Sequence, residues 1–226
     1  MGSRELAQKG TSATKLDGSA RRFLYTEAGS RMDGTTVSAQ EIAFMRTLGG
    51  GCSRSQPMLV FLDTEFTEFV RPDLISIALV SEDGREFYAE RTDYHRDACS
   101  DFVRETVLTL LDRVPGATCN RSELTLRLRD WFEALPEPAT IIYDLEGDWL
   151  LLADAYLGSD HRQPPANVGD KLHLDSYAIT HPVFQRALNH IYTQDWPPHH
   201  ALADARALMA GYRAWHKFMD PIWRIK

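Results

Sequence analysis

Cysteine is scarce. Cys52, Cys99 and Cys119 are odd in number and widely spaced, and no Cys-x-x-Cys pair occurs. Reduced thiols in a cytoplasm are therefore expected, in preference to a disulfide framework or a thiolate zinc site. Long apolar runs are missing too. Stretches such as Leu59 to Leu62 and Trp149 to Ala153 fall far short of the roughly 20 residues that span a bilayer. No basic segment leading into an apolar one opens the chain, so neither membrane insertion nor secretion is expected. Positive charge is also short, with a formal net charge of −7 that is unevenly spread. Residues 1–57 carry eight Lys/Arg and five acids, a net of +3, which leaves −10 for residues 58–226. So acidic a body is unsuited to coating long duplex DNA through non-specific phosphate contacts. It remains compatible with an enzyme that grips a few nucleotides through bound cations, because the ions supply positive charge locally.

What is present suffices for one core. A chain of 226 residues, 43% of them hydrophobic, reads as one globular domain with a small appendage. Residues 1–36 are rich in Gly, Ser, Thr and Lys and read as disordered or as an addition made in cloning. Ser38 to Glu41 fits a capping box for a short helix over 38–48, followed by a Gly/Ser linker up to Pro57. The folded domain is expected over 58–226.

The stretch that organises this domain is Met58 to Phe69. Met58 to Leu62 is an uninterrupted apolar run leading into Asp63-Thr64-Glu65. It suits a strand buried on both faces, although periodicity alone does not separate it from a short apolar helix. In a strand, alternate side chains share a face, so Asp63 and Glu65 lie on one side about 7 Å apart. Two carboxylates so placed repel each other and lose hydration unless a cation sits between them. A pair of solvated acids at a strand terminus is the plainer alternative, and the rest of the chain must decide.

Asp73 to Val80 and Arg85 to Glu90, joined at Asp83-Gly84, complete an antiparallel three-strand meander. Ala98 to Leu111 has helical spacing, and Ser122 caps a second helix with Leu124, Leu128, Trp131, Phe132 and Leu135 on its buried side. Ala139 to Tyr143 is a buried strand, followed by a helix from Trp149 to Leu157 and a loop from His161 to Asp170. A brief strand over Leu172 to Tyr177, a helix over Pro182 to His190, and a last helix after Pro197-Pro198 reaching Trp215 or Phe218 close the order.

Three motifs along this order carry a resemblance. They are Asp63-x-Glu65 after the first strand, Asp148 four residues after Asp144 at a helix start, and His199-x4-Asp204 entering the last helix. Together they resemble the DEDD superfamily of 3′-to-5′ exonucleases in its histidine-bearing branch, which includes ribonuclease T and oligoribonuclease. Within it the DTEFTEF and EGDW runs look most like the small mycobacterial-type 3′-to-5′ exoribonuclease domain. The tyrosine-bearing branch would place Tyr at position 200, where His200 stands. The chain departs from the pattern at Asp144, where the family has Asn. This leaves open whether Asp144 meets an ion or orients a neighbour.

The resemblance implies an α/β, ribonuclease-H-like mixed sheet, an antiparallel three-strand meander plus parallel strands, flanked by helices. It implies hydrolysis of phosphodiester bonds from the 3′ end of single-stranded or 3′-overhanging nucleic acid, RNA favoured, with release of nucleoside 5′-monophosphates. Asp63, Glu65, Asp148 and Asp204 would hold two Mg²⁺ or Mn²⁺ ions, for which hard carboxylate oxygens are suited. His199 would take the proton from the attacking water. Phe66, Thr67 and Phe69 would meet the terminal nucleotide, with core packing an equal alternative for the two phenylalanines; Trp149 reads as core. Loop histidines after two prolines, and acids that only cap helices, are the plainer readings of His199, His200, Asp148 and Asp204. Members of the family often dimerise, and Ile222 and Trp223 are candidates for such a contact. Two other functions compete: a catalytically inactive nucleic-acid-binding scaffold of the same fold, and a phosphatase with Asp63 as nucleophile, for which Glu65 is the wrong second residue.

Overall fold

The apolar run at Met58 forms β1 (Met58–Phe66), which continues through Asp63 and Glu65 so that both acids lie inside the strand. The structure is a computed structural model and describes residues 58–160 and 163–224. The expected extension over 1–57, with its helix over 38–48, lies outside the described residues. β1 is central because its neighbours are equally apolar. It pairs antiparallel with β2 (Leu74–Ser81), which pairs antiparallel with β3 (Glu86–Arg91), and parallel with β5 (Ala139–Tyr143). A two-residue β4 (Thr118–Cys119) joins β3 in parallel, and β6 (Val168–His173) joins β5 in parallel. The sheet order is therefore β4-β3-β2-β1-β5-β6, the mixed α/β arrangement expected of a ribonuclease-H-like fold.

Strand alternation sorts the side chains between two layers. Met58, Val60 and Leu62 of β1 pack with Leu124, Leu128 and Phe132 of α2 (Arg121–Glu133) and with Leu152 and Tyr156 of α3 (Glu146–Leu157). Leu59 and Phe61 face the other way, onto Phe184 of α5 (Pro182–Ile191) and Leu208, Tyr212 and Trp215 of α6 (Ala201–Arg224). Two short helices complete the described residues, α1 (Asp101–Glu105) and α4 (Ser176–Thr180). No helix among the described residues is long and apolar enough to cross a membrane.

Four local expectations are corrected. The single helix expected over 98–111 is broken into a 3-10 turn at Arg96–Ala98, α1, and a second 3-10 turn at Val107–Leu110. The tightening begins at Thr106-Val107, where adjacent β-branched residues crowd the helical turn. α2 is capped by Asn120, whose side chain accepts from the Glu123 amide, and not by Ser122, which lies inside the helix. The expected loop over 161–170 contains the start of β6, whose sequence VGDKLH lacks apolar alternation because it is an edge strand. The last helix extends to Arg224 through Pro221, because Met219 and Trp223 continue its apolar stripe past Trp215. Trp223 is thereby engaged within the chain, in edge contact with Trp215 and His216, while Ile222 stays half exposed.

α5 and α6 approach each other at a glycine. A Cβ added at Gly211 would lie 2.5 Å from the ring of Phe184, which is fully buried. Gly211→Ala should therefore lower stability by about 1–3 kcal/mol through overpacking, despite the gain in helix propensity. Urea unfolding of Gly211→Ala, with and without Phe184→Leu to make room, checks this. An unchanged midpoint for the single variant would mean that the two helices separate freely.

Candidate active site

The end of β1 is where the two layers meet. Asp63 and Glu65 are in step with Leu59 and Phe61, on the face that α6 covers. Thr64 is in step with Val60 and Leu62, on the face of α3, and its Oγ1 donates to Oδ1 of Asp148 at 2.6 Å. Asp148 stands in the first turn of α3, so it reaches the strand from the opposite layer. β5 ends at Tyr143, and the next residue, Asp144, is held by its backbone: its carbonyl lies 3.3 Å from Nε2 of His173 on β6. Asp204 enters from the first turn of α6.

These placements make two neighbouring triads. Asp63, Asp144 and Asp148 offer ligand atoms within 4.8 Å of one another, and so do Glu65, His199 and Asp204. The triads adjoin because Asp63 and Glu65 are two residues apart on one strand, about 7 Å along the backbone. Thus the residues singled out in sequence as Asp63, Glu65, Asp148, Asp204 and His199 gather at one end of the sheet, and Asp144 gathers with them.

The electrostatics of this place are severe. Asp63, Glu65, Asp148 and Asp204 are 2%, 6%, 1% and 6% exposed. Like charges buried together disfavour ionisation unless dipoles, hydrogen bonds or cations offset the cost. Part of the offset is visible. Asp204 accepts from the Tyr192 hydroxyl at 2.7 Å through Oδ1 and from the His199 amide at 3.0 Å through Oδ2. Asp148 has the Thr64 hydroxyl and the N-terminal dipole of α3. The donor set also fits a divalent cation: the first triad is all carboxylate, and the second is two carboxylates and an imidazole. Carboxylate oxygens are ligands for hard divalent cations.

The two adjacent histidines part company. His199 is half-buried and adopts a left-handed backbone with φ 69°, a conformation that costs a non-glycine residue about 1–3 kcal/mol and clusters at functional sites. That turn aims its amide at Asp204 while its ring meets the edge of Phe102 at 5.0 Å. His200 turns inward, stacks on Tyr88 at 4.8 Å and abuts Trp196. Its Nδ1 accepts from the Leu202 amide at 3.2 Å and its carbonyl accepts from the Asp204 amide at 3.0 Å. His200 is therefore the start of α6, and it stays neutral to do so.

The residues expected to hold the terminal nucleotide are distributed differently. Thr67 is fully buried; its hydroxyl accepts from the Asp73 amide at 3.0 Å and its carbonyl from the Ser100 amide at 3.1 Å. It braces the loop after β1. Phe66 packs against the core and meets Phe69 edge-on at 5.1 Å. Phe69 itself is 65% exposed, so it is the member of the trio whose ring faces solvent. Trp149 is partly buried against the core and stacks on Tyr143. Sequence reading missed Thr64, Tyr192 and Phe102. Strand alternation at Thr64 was available as a signal; a tyrosine and a phenylalanine brought in by loop and helix packing gave none.

Burial, with Arg113 nearby, pushes the His200 imidazole down to about 4 from 6.5. A base whose folded value is depressed favours the fold above its unfolded value and loses that contribution as pH falls from about 6.5 towards 4. Between pH 7 and pH 4.5 the native protein should therefore lose about 2–3 kcal/mol more stability than His200→Gln, which cannot titrate. Urea unfolding at both pH values measures the difference; equal losses would show that His200 takes up its proton in the fold as readily as in the unfolded chain.

No family model matches the chain. Over 72 residues it is 42% identical to proteins named 3′-5′ exoribonuclease from two strains of Mycobacterium tuberculosis. The match takes in 31% of this chain and spans 42% of the length of those relatives. Among solved structures, a chain titled Exonuclease I (apo) superposes with a TM-score of 0.49 at 14% identity, covering 75% of this chain and 44% of that one. An Exonuclease I from Methylocaldum szegediense gives a TM-score of 0.48 at 15% identity, covering 74% and 42%. Over those 72 residues the chain is therefore similar to curated proteins named 3′-5′ exoribonuclease, and it spans less than half the length of those relatives.

Proposed function

We propose that this chain is a metal-dependent 3′-to-5′ exonuclease that removes nucleoside 5′-monophosphates from single-stranded or 3′-overhanging nucleic acid, with RNA favoured. The observation that carries this reading is the convergence of Asp63, Asp144 and Asp148 beside Glu65, His199 and Asp204. The name of the mycobacterial relatives supports the choice of RNA. Two divalent ions held by these carboxylates would make water a stronger nucleophile and offset the charge that builds on the leaving oxygen. Asp63, Asp144 and Asp148 form one ligand group, and Glu65 and Asp204 the other. Thr64 and Tyr192 fix the orientation of Asp148 and Asp204 through their hydroxyls. His199 stands at the rim of the second group, where a neutral imidazole takes the proton from the attacking water. The exposed ring of Phe69 offers a face on which a terminal base stacks, an interaction of about 1–3 kcal/mol. A cytoplasmic setting is consistent with Cys99 and Cys119 as buried free thiols.

The test is degradation of 5′-labelled RNA and DNA oligonucleotides, single-stranded and with 3′ overhangs, in Mg²⁺, in Mn²⁺ and in chelator. A ladder shortening from the 3′ end is expected, abolished by chelator and faster on RNA. Asp63→Ala and His199→Ala should each lose at least about 100-fold in rate. Cleavage by Asp63→Ala at the native rate would overturn the reading.

A further inference from the structure

The segment between β3 and β4 makes two contacts with the loop that delivers His199. At one end, the Phe102 ring on α1 stands perpendicular to the His199 imidazole, with ring centroids 5.0 Å apart and an interplanar angle of 89°. At the other, Arg113 Nη1 donates to the Asp195 carbonyl at 2.5 Å. The segment is itself anchored. Ser100 caps α1 by accepting from the Val103 amide, and its own amide donates to the Thr67 carbonyl at the end of β1. Val103 and Val107 are buried against Ile75 of β2. The Asp112 amide donates to both carboxylate oxygens of Glu90 on β3, at 3.1 and 2.9 Å.

Phe102 is unusual in this anchored segment because it is 44% exposed. The neighbouring Val103 already supplies the core contact, so the core has no need of the Phe102 ring. Its edge-to-face contact with His199 is of the kind aromatic quadrupoles favour, worth about 0.5–1.5 kcal/mol between rings. His199 is held in a left-handed backbone at the rim of the acids, and the Phe102 edge packs on its ring.

We infer that α1 and the turn after it brace the loop 192–199, and that Phe102 is a positioning residue that aims the His199 imidazole at the acidic centre. This rests on the reading of His199 as the proton acceptor. Phe102 touches the histidine, and through it acts on the rate of the chemical step rather than on substrate affinity. Arg113 holds the same loop from below through a backbone carbonyl, so its loss affects the loop without touching the ring.

The experiment is a double-mutant cycle on the full-length protein, with a 5′-labelled single-stranded oligoribonucleotide in Mn²⁺, measuring kcat and KM for Phe102→Ala, His199→Ala and the pair. Phe102→Ala is expected to lower kcat about tenfold with KM unchanged, and Phe102→Tyr to stay within about twofold of the native protein, because the ring is kept. In the His199→Ala background, Phe102→Ala is expected to cost less than about twofold further. Thermal unfolding of Phe102→Ala should match the native protein, since the ring is half exposed. A tenfold loss that persists without His199, or a rise in KM at constant kcat, would overturn the proposal and make Phe102 a substrate contact. A native rate for Phe102→Ala would overturn it as well. If His199→Ala itself is fully active while Asp63→Ala is dead, the role of His199 fails and the brace fails with it. If Asp63→Ala is also fully active, the exonuclease reading itself has failed.

Discussion

Four buried carboxylates gathered into two adjoining triads, each with ligand atoms within 4.8 Å of one another, are the constraint around which this fold is arranged. Each would rather be hydrated, and hydrogen bonds from Thr64 and Tyr192 with the dipole of α3 help to keep Asp148 and Asp204 in place. That cost is met at one spot, the end of β1, where strand alternation turns Asp63 and Glu65 towards α6 and Thr64 towards α3. The central strand thus does two jobs with successive residues. Its odd positions carry the acids, and its even position reaches across to fix the acid of the other layer.

The site is built by elements distant in sequence. α3 supplies Asp148, the residue after β5 supplies Asp144, α6 supplies Asp204, and the left-handed turn before α6 supplies His199. The buried, neutral His200 makes this last delivery possible. It caps α6 with Nδ1 and stacks on Tyr88, so that its neighbour points the opposite way. The two imidazoles thus part, that of His200 packed into the fold and that of His199 lying with Glu65 and Asp204.

Much of this was legible in the sequence, and for physical reasons. Read as a strand, the apolar run before Asp63 and Glu65 places both acids on one face, and alanines around Asp204 imply that its helix face is buried. The meander and the long amphipathic helices announce themselves by period and turn residues. What could not be read falls where tertiary contacts override local pattern. β6 is a polar edge strand whose partner is fixed by β5, and Pro221 sits inside α6 because Met219 and Trp223 keep packing beyond it. Asp144 could be seen to depart from the family pattern but not to lie beside Asp63 and Asp148, because that distance depends on how β5 registers with β1. The hydrogen bond by which the Thr67 hydroxyl accepts from the Asp73 amide likewise depends on how the loop after β1 folds back. Phe102 looked like one more residue of an amphipathic helix. Its exposure follows from the break of that helix into short pieces, which no period predicts.

The central claim is that these acids are gathered to hold divalent cations, and anomalous diffraction from crystals grown with Mn²⁺ tests it most directly. Two anomalous peaks about 4 Å apart are expected. One should be bonded by Asp63 and Asp148 with Asp144 in its coordination shell, and the other by Glu65 or Asp204 beside His199, with metal–oxygen distances near about 2.2 Å. No peak in either triad at saturating Mn²⁺, with the six side chains still gathered, would contradict the account.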